Sequence, residues 1–145
     1  MNEKRKLKVL FLCTGNSCRS QMAEAITNNV LGEEWEAVSA GTEPAGYVHP
    51  KAVLALREIG IDHAGKSKSV NDLQQREFDL VVTVCDDARE TCPIWLGKGA
   101  QRHLGFQDPA QAKGTEKEIM EVFRQVRDQI QTQIPALLQE HREVA

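Results

Sequence analysis

Aromatic residues make up 5% of the 145 residues, basic residues form no block, and no apolar run approaches the length of a membrane span. Each shortage closes off a class of function. A nucleic-acid surface needs a basic stripe with rings for stacking, and a net charge of −3 with scattered Lys and Arg supplies neither. A membrane-crossing helix needs about 20 apolar residues in a row, so no membrane association is expected. The opening MNEKRKLKVLFL is basic and then apolar, but its apolar part is too short for a secretion signal, and a cytoplasmic protein is expected. The four histidines, His49, His63, His103 and His141, show no ligand spacing, so each is expected at the surface and no metal centre is expected. Repeats, low-complexity tracts and linkers are also lacking, which leaves one domain over residues 1–145 with a single core.

What is present concentrates in KVLFLCTGNSCRSQM, from Lys8 to Met22. The apolar run Val9-Leu10-Phe11-Leu12 stops at Cys13, and the turn formers Gly15 and Asn16 lead to Arg19, where a helical pattern begins. A strand, a tight loop and a helix start are expected. Such a loop turns backbone N–H groups inward and the first helical turn adds its own, so the stretch Thr14, Gly15, Asn16, Ser17, Cys18, Arg19 and Ser20 reads as an oxyanion cradle. Arg19 suits two oxygens of a tetrahedral anion. The same positive field favours the thiolate of Cys13, and Ser20 is spaced to donate a hydrogen bond to its sulfur. A bare Cys-x5-Arg spacing carries little by itself, since a buried structural cysteine and a surface arginine also satisfy it; the strand before and the helix behind give it weight.

Taken in order, strands alternate with helices. Leu7–Leu12 is a strand buried on both faces. A helix from about Ser20 to Gly32 turns Met22, Ala23, Ile26 and Val30 inward, and Glu36–Ala40 is a second strand closed by Gly41. Pro50 opens a second helix with Val53, Leu56 and Ile59 inside and Gly60 after it. A short helix is expected within 70–75, a strand over Phe78–Val84, and a shorter one over Gln101–Gly105. A long helix follows from Glu116 to about Leu138, with Pro135 kinking it or starting a last turn. This alternation implies an open parallel sheet, whose ligands bind beyond the carboxyl ends of the strands.

Cys13 and Cys85 both stand at such ends, so both are expected to face one site. Cys92 follows Cys85 after six mostly polar residues. A thiolate attacking an adduct on Cys13 leaves a disulfide, and a nearby thiol can carry that disulfide to an external reductant. Equally, Cys85 closes a strand as a small core residue and Cys92 is incidental; the spacing alone does not choose. Asp108, in GFQDPA, is a candidate general acid on a loop above the same edge, although Asp-Pro also makes an ordinary turn.

With these residues together, the chain resembles arsenate reductases of the thioredoxin-coupled class, built on the low-molecular-weight protein tyrosine phosphatase fold. The resemblance covers nearly the whole chain, most sharply CTGNSCRSQMAE from Cys13, SAG from Ser39, VVTVCDDARETCP from Val81 and GFQDPA from Gly105. It implies a four-stranded parallel open sheet with helices on both faces. It also implies that Cys13 attacks arsenate held by Arg19 and the loop, that Asp108 protonates the departing hydroxyl, and that Cys85 and then Cys92 relay the disulfide. Thioredoxin, or glutaredoxin with glutathione, would be the reductant, and a monomer without a tightly bound cofactor is expected. Cys18 has no required step.

Some relatives of this kind hold potassium beside the loop. Asn16, Glu24 and Ser39 match that ligand set, but Ser67 and Ser69 stand where threonine and aspartate are expected, and losing a carboxylate disfavours the cation. Two other functions fit parts of the pattern. A phosphatase needs only the loop, Arg19 and Asp108, yet Tyr47 is the sole tyrosine and Ala110-Gln111 after Asp108-Pro109 offers no ring to stack a phosphotyrosine. A non-catalytic metalloid or redox sensor needs the thiols but not the Arg19 cradle.

Overall fold

Val9, Leu10, Phe11 and Leu12 are fully buried in the first strand, β1 (Leu7–Cys13), as an apolar run covered on both faces requires. The computed structural model describes residues 5–73, 76–86, 95, 97 and 99–144. Cys92 lies outside the described residues. On one side β1 pairs with β2 (Trp35–Gly41), in register from Leu7 opposite Trp35 to Cys13 opposite Gly41. On the other it pairs with β3 (Leu80–Thr83), from Val9 opposite Leu80 to Leu12 opposite Thr83. β4 (Ala100–His103) completes the order β2-β1-β3-β4. All pairs are parallel, which is the expected four-stranded α/β sheet.

Side chains alternate along β1, and so does what covers them. Val9 and Phe11, with Leu80 and Val82, pack against three helices, α1 (Arg19–Val30), α2 (Pro50–Glu58) and α3 (Glu116–Val144). Leu10 and Leu12, with Val81, pack against the single-turn helix Val70–Leu73, Phe78 and Trp95. The last two rings meet edge to face at 5.7 Å. Among the described residues, then, the long helices share one face and a single turn serves the other.

The element edges depart from the sequence reading for identifiable reasons. Val30, expected inside, is 52% exposed, and Leu31 turns into the core in its place. On α2 the inner face is Ala52, Ala55 and Leu56, not Val53; small residues let α2 sit close to its neighbours. β3 is shorter than Phe78–Val84 because Phe78 leaves the ladder to pack on Trp95, although the Val84 amide still donates to the Leu12 carbonyl at 2.9 Å. β4 is displaced to Ala100–His103 and exposed throughout, as an edge strand. α3 runs through Pro135 to Val144 instead of ending near Leu138. Its start is a capping box: the Glu118 amide donates to Thr115 Oγ1 at 3.1 Å, and the Thr115 amide to Glu118 Oε1 at 3.0 Å.

His103 is exposed as expected, but the other three histidines are not plain surface residues. His49 is half-buried, accepts from the Lys51 amide at 3.1 Å to cap α2, and lies on Phe123 with ring centres 4.7 Å apart. His141 packs against Trp35 at 6.1 Å, and half-buried His63 bonds Gln21. Among the described residues no helix is long and apolar enough to cross a membrane.

Candidate active site

β1 delivers Cys13 to the carboxyl edge of the sheet, and the chain must turn within five residues to enter α1 at Arg19. Asn16 makes the turn in the left-handed region, with φ 49°. Three loop carbonyls point away from Cys13 into hydrogen bonds with the segment after β2: Thr14 O accepts from Glu43, Gly15 O from Ala45, and Ser17 O from His49, at 2.9–3.0 Å. In a trans peptide the following N–H points opposite its carbonyl. The Gly15, Asn16 and Cys18 amides are therefore turned toward the cysteine side, and the Asn16 amide does reach Cys13 Sγ, at 3.2 Å. Gly41 permits the close approach of β2, since a Cβ there would collide with the Thr14 carbonyl.

Cys13 is 2% exposed and lies 2.8 Å from Ser20 Oγ, the contact its spacing predicts. Arg19 is 3% exposed. Its Nη1 donates to the Phe106 carbonyl at 3.3 Å and its Nη2 lies 3.6 Å from Asp108 Oδ2. Asp108 is held in turn as the cap of the single turn Pro109–Gln111, accepting from the Ala110 amide at 3.0 Å. Its Asp-Pro turn and its place above Cys13 coexist. Cys13, Arg19 and Asp108 line a cavity of about 160 Å³, with Tyr47 and His49 on its rim. A wider cleft opens from it between Arg19, Asp86, Gln107, Asp108 and Lys113.

Cys85 is buried one residue past Val84, whose amide bonds the end of β1, so it leaves the sheet beside Cys13 as the parallel register requires. It is disulfide-bonded, whereas Cys13 and Cys18 are free thiols. Cys18 is buried at the cap of α1; burial first, then the negative charges of Asp108 and Cys13, push its thiol up to about 12. The shift favours its protonated form.

Behind the loop stand residues the sequence reading did not assign. Gln21, fully buried, donates from Nε2 to the Asn16 carbonyl at 3.2 Å, to Asn16 Oδ1 at 3.0 Å and to the Lys66 carbonyl at 2.8 Å. The Lys68 amide donates to Asn16 Oδ1 at 2.7 Å, Asn16 Nδ2 donates to Ser20 Oγ at 2.8 Å, and Ser67 Oγ donates to the Gly15 carbonyl at 3.1 Å. A polar residue within the first helical turn, between Ser20 and the inward-facing Met22, was the available signal for Gln21. For Lys68 there was none. Of the cation ligands considered, Ser39 donates to Glu24 Oε1 at 2.8 Å, and the Lys68 ammonium lies 3.6 Å from the same oxygen. No group of three or more His, Cys, Asp or Glu among the described residues is placed to hold a metal.

Residues 8–144 match the family described as low molecular weight phosphotyrosine protein phosphatase. Arsenate reductases of Oceanobacillus iheyensis and Bacillus subtilis are 48% and 47% identical to the chain, over 84% of it and 88% of each relative. An arsenate reductase solved in its phosphate-binding state superposes with a TM-score of 0.77 at 30% identity, covering 92% of this chain and 98% of that one. A low-molecular-weight protein tyrosine phosphatase from T. tengcongensis gives 0.66 at 27%, covering 93% and 99%. With Cys13, the loop after it and Arg19 placed as described, the chain belongs to the low-molecular-weight phosphotyrosine protein phosphatase family, among its arsenate reductases.

Proposed function

We propose that the protein reduces arsenate to arsenite, with Cys13 as the nucleophile. One observation carries the reading: β1 and β3 lie side by side in parallel, so Cys13 and Cys85 follow neighbouring strand ends, and Cys13 shares a cavity with Arg19 and Asp108. Arsenate rests on the loop amides with Arg19 across two of its oxygens. The Cys13 thiolate bonds arsenic, and a hydroxyl departs as water with a proton from Asp108; arsenic is still pentavalent. The Cys85 thiolate then attacks Cys13 Sγ. A sulfur–sulfur bond forms, the sulfur–arsenic bond breaks, and its electron pair stays on arsenic, which leaves as arsenite. Cys92 attacks Cys85 next and frees the Cys13 thiolate, and the Cys85–Cys92 disulfide takes two electrons from an external dithiol, thioredoxin in first place and glutaredoxin with glutathione in second. The chemistry needs a reducing compartment, so the reading places the protein in the cytoplasm, acting as a monomer.

No potassium enters this scheme. The Lys68 ammonium beside Glu24 meets the negative charge a cation would otherwise meet, and the set lacks a second carboxylate, so these residues do not fit the ion.

The test is Cys92→Ser. It should release about one arsenite per protein and stop as a Cys13–Cys85 disulfide identifiable by peptide mass spectrometry. Continuous cycling of that variant with thioredoxin would refute the relay. Tyr47 on the cavity rim favours a second, weaker activity, hydrolysis of aryl phosphates through the same cysteine, because its exposed ring offers an apolar wall to an aryl group.

A further inference from the structure

We propose that His63 is a positioning residue for Cys13, holding Gln21 in the hydrogen-bond chain that runs through Asn16 and Ser20 to the nucleophile.

The direction of that chain follows from groups whose donor or acceptor character is beyond choice. A backbone amide only donates, so the contact of the Lys68 N–H at 2.7 Å identifies Oδ1 of Asn16 and leaves Nδ2 facing Ser20. Backbone carbonyls only accept, so the end of Gln21 that meets the Asn16 and Lys66 carbonyls is its NH2. Its oxygen therefore faces His63 Nε2, at 2.7 Å, and that ring nitrogen must carry the proton. Onward from Gln21 the chain has one sense: Nε2 donates to Asn16 Oδ1, Asn16 Nδ2 donates to Ser20 Oγ, and the Ser20 hydroxyl proton is left to point at Cys13 Sγ.

The far end is built for this contact. A Cβ at Gly65 would collide with both His63 Nε2 and Gln21 Oε1, so the residue that admits the junction is a glycine. Gln21 and Asn16 are fully buried with His63 in place, and without it the Gln21 oxygen loses its donor. The amide then has reason to turn, and turning it sets an oxygen against the Asn16 and Lys66 carbonyls. The charged groups facing His63 are Glu24 from α1 and Lys68 from the segment before the single turn. Both the neutral ring with its proton on Nε2 and the imidazolium donate at that nitrogen, so the role is orientation and not pH sensing.

The inference rests on Cys13 being the nucleophile, but it is tested without arsenate or a reductant, so its failure is distinguishable from failure of the proposed reaction. Nitrogen-15 correlation spectra of the intact protein should show the neutral His63 ring as the Nε2–H tautomer; the Nδ1–H tautomer would overturn the proposal with no variant made. Iodoacetamide labelling of Cys13 near neutral pH, followed by peptide mass spectrometry, should slow about threefold or more in His63→Leu, while His63→Gln, whose amide nitrogen replaces Nε2 as donor, stays near the parent rate. A parent-like rate in His63→Leu, or equal slowing in both variants, would overturn it.

Discussion

Asp108 Oδ2 lies 3.6 Å from Arg19 Nη2, so the candidate acid and the candidate oxyanion clamp are partners before any substrate is considered. An incoming oxyanion competes with Asp108 for the guanidinium and brings its own oxygens to the acid. Asp108→Asn keeps the turn cap, because asparagine accepts from the Ala110 amide as aspartate does, but removes the proton donor. We expect kcat for arsenate to fall about 100-fold, with KM unchanged or lowered. Steady-state kinetics checks this; an unchanged kcat would remove Asp108 from the chemistry.

Cys18 stands next to Arg19 yet behaves as a core residue, its thiol pushed up to about 12, chiefly by burial. Near neutral pH it is protonated and should resist alkylation in the folded protein, while Cys13, held by two donors at the cavity, is labelled. Quantitative mass spectrometry of the peptides separates the two. Comparable labelling of both before unfolding would contradict this assignment.

His63 is held below its ordinary value of 6.5, first by burial, with Lys68 adding and Glu24 opposing. His49 is lowered too, by burial first and then by Lys51, with Asp108 opposing. A lowered folded-state value means that, between it and 6.5, the unfolded chain binds more protons than the folded one. The stabilisation is complete above 6.5 and is lost as pH falls through the folded values. The melting temperature should therefore decline from about pH 7.5 to about 5.5, where carboxylates are still ionised, and decline less in His63→Gln. A variant with the parent slope would contradict the sign argument.

Lys68 bears on salt. With its ammonium beside Glu24, arsenate turnover should be the same in potassium and sodium chloride at equal ionic strength. Lys68→Met removes the built-in cation while keeping the backbone amide that bonds Asn16, and turnover should then fall in either salt. Selective acceleration of the parent protein by potassium would contradict this reading.

The local part of the site was legible in the sequence. A strand run ending in cysteine, turn formers, then Arg19 and Ser20 constrain one another over few residues, and the structure joins Cys13 to Ser20 as that spacing requires. Asp108 was legible as a candidate acid on a loop above the carboxyl edge of the sheet, but its pairing with Arg19 was not. What stayed hidden depends on distant segments meeting. Lys68 and His63 reach the back of the loop from the segment after α2, and nothing within that segment marks them as partners of Asn16 or Gln21. Hydrophobic size misled on α2, where Ala52 and Ala55 face inward because close helix packing selects small residues over Val53.

The most direct test of the whole account is arsenate-dependent NADPH oxidation by the purified protein with thioredoxin and thioredoxin reductase, run beside glutaredoxin with glutathione and beside Cys13→Ser. Sustained oxidation with thioredoxin, absent in Cys13→Ser, is the expected result. No arsenate-dependent oxidation with either reductant, in protein whose Cys13 is reduced and hydrolyses aryl phosphates, would contradict the account and make hydrolysis the function of this site.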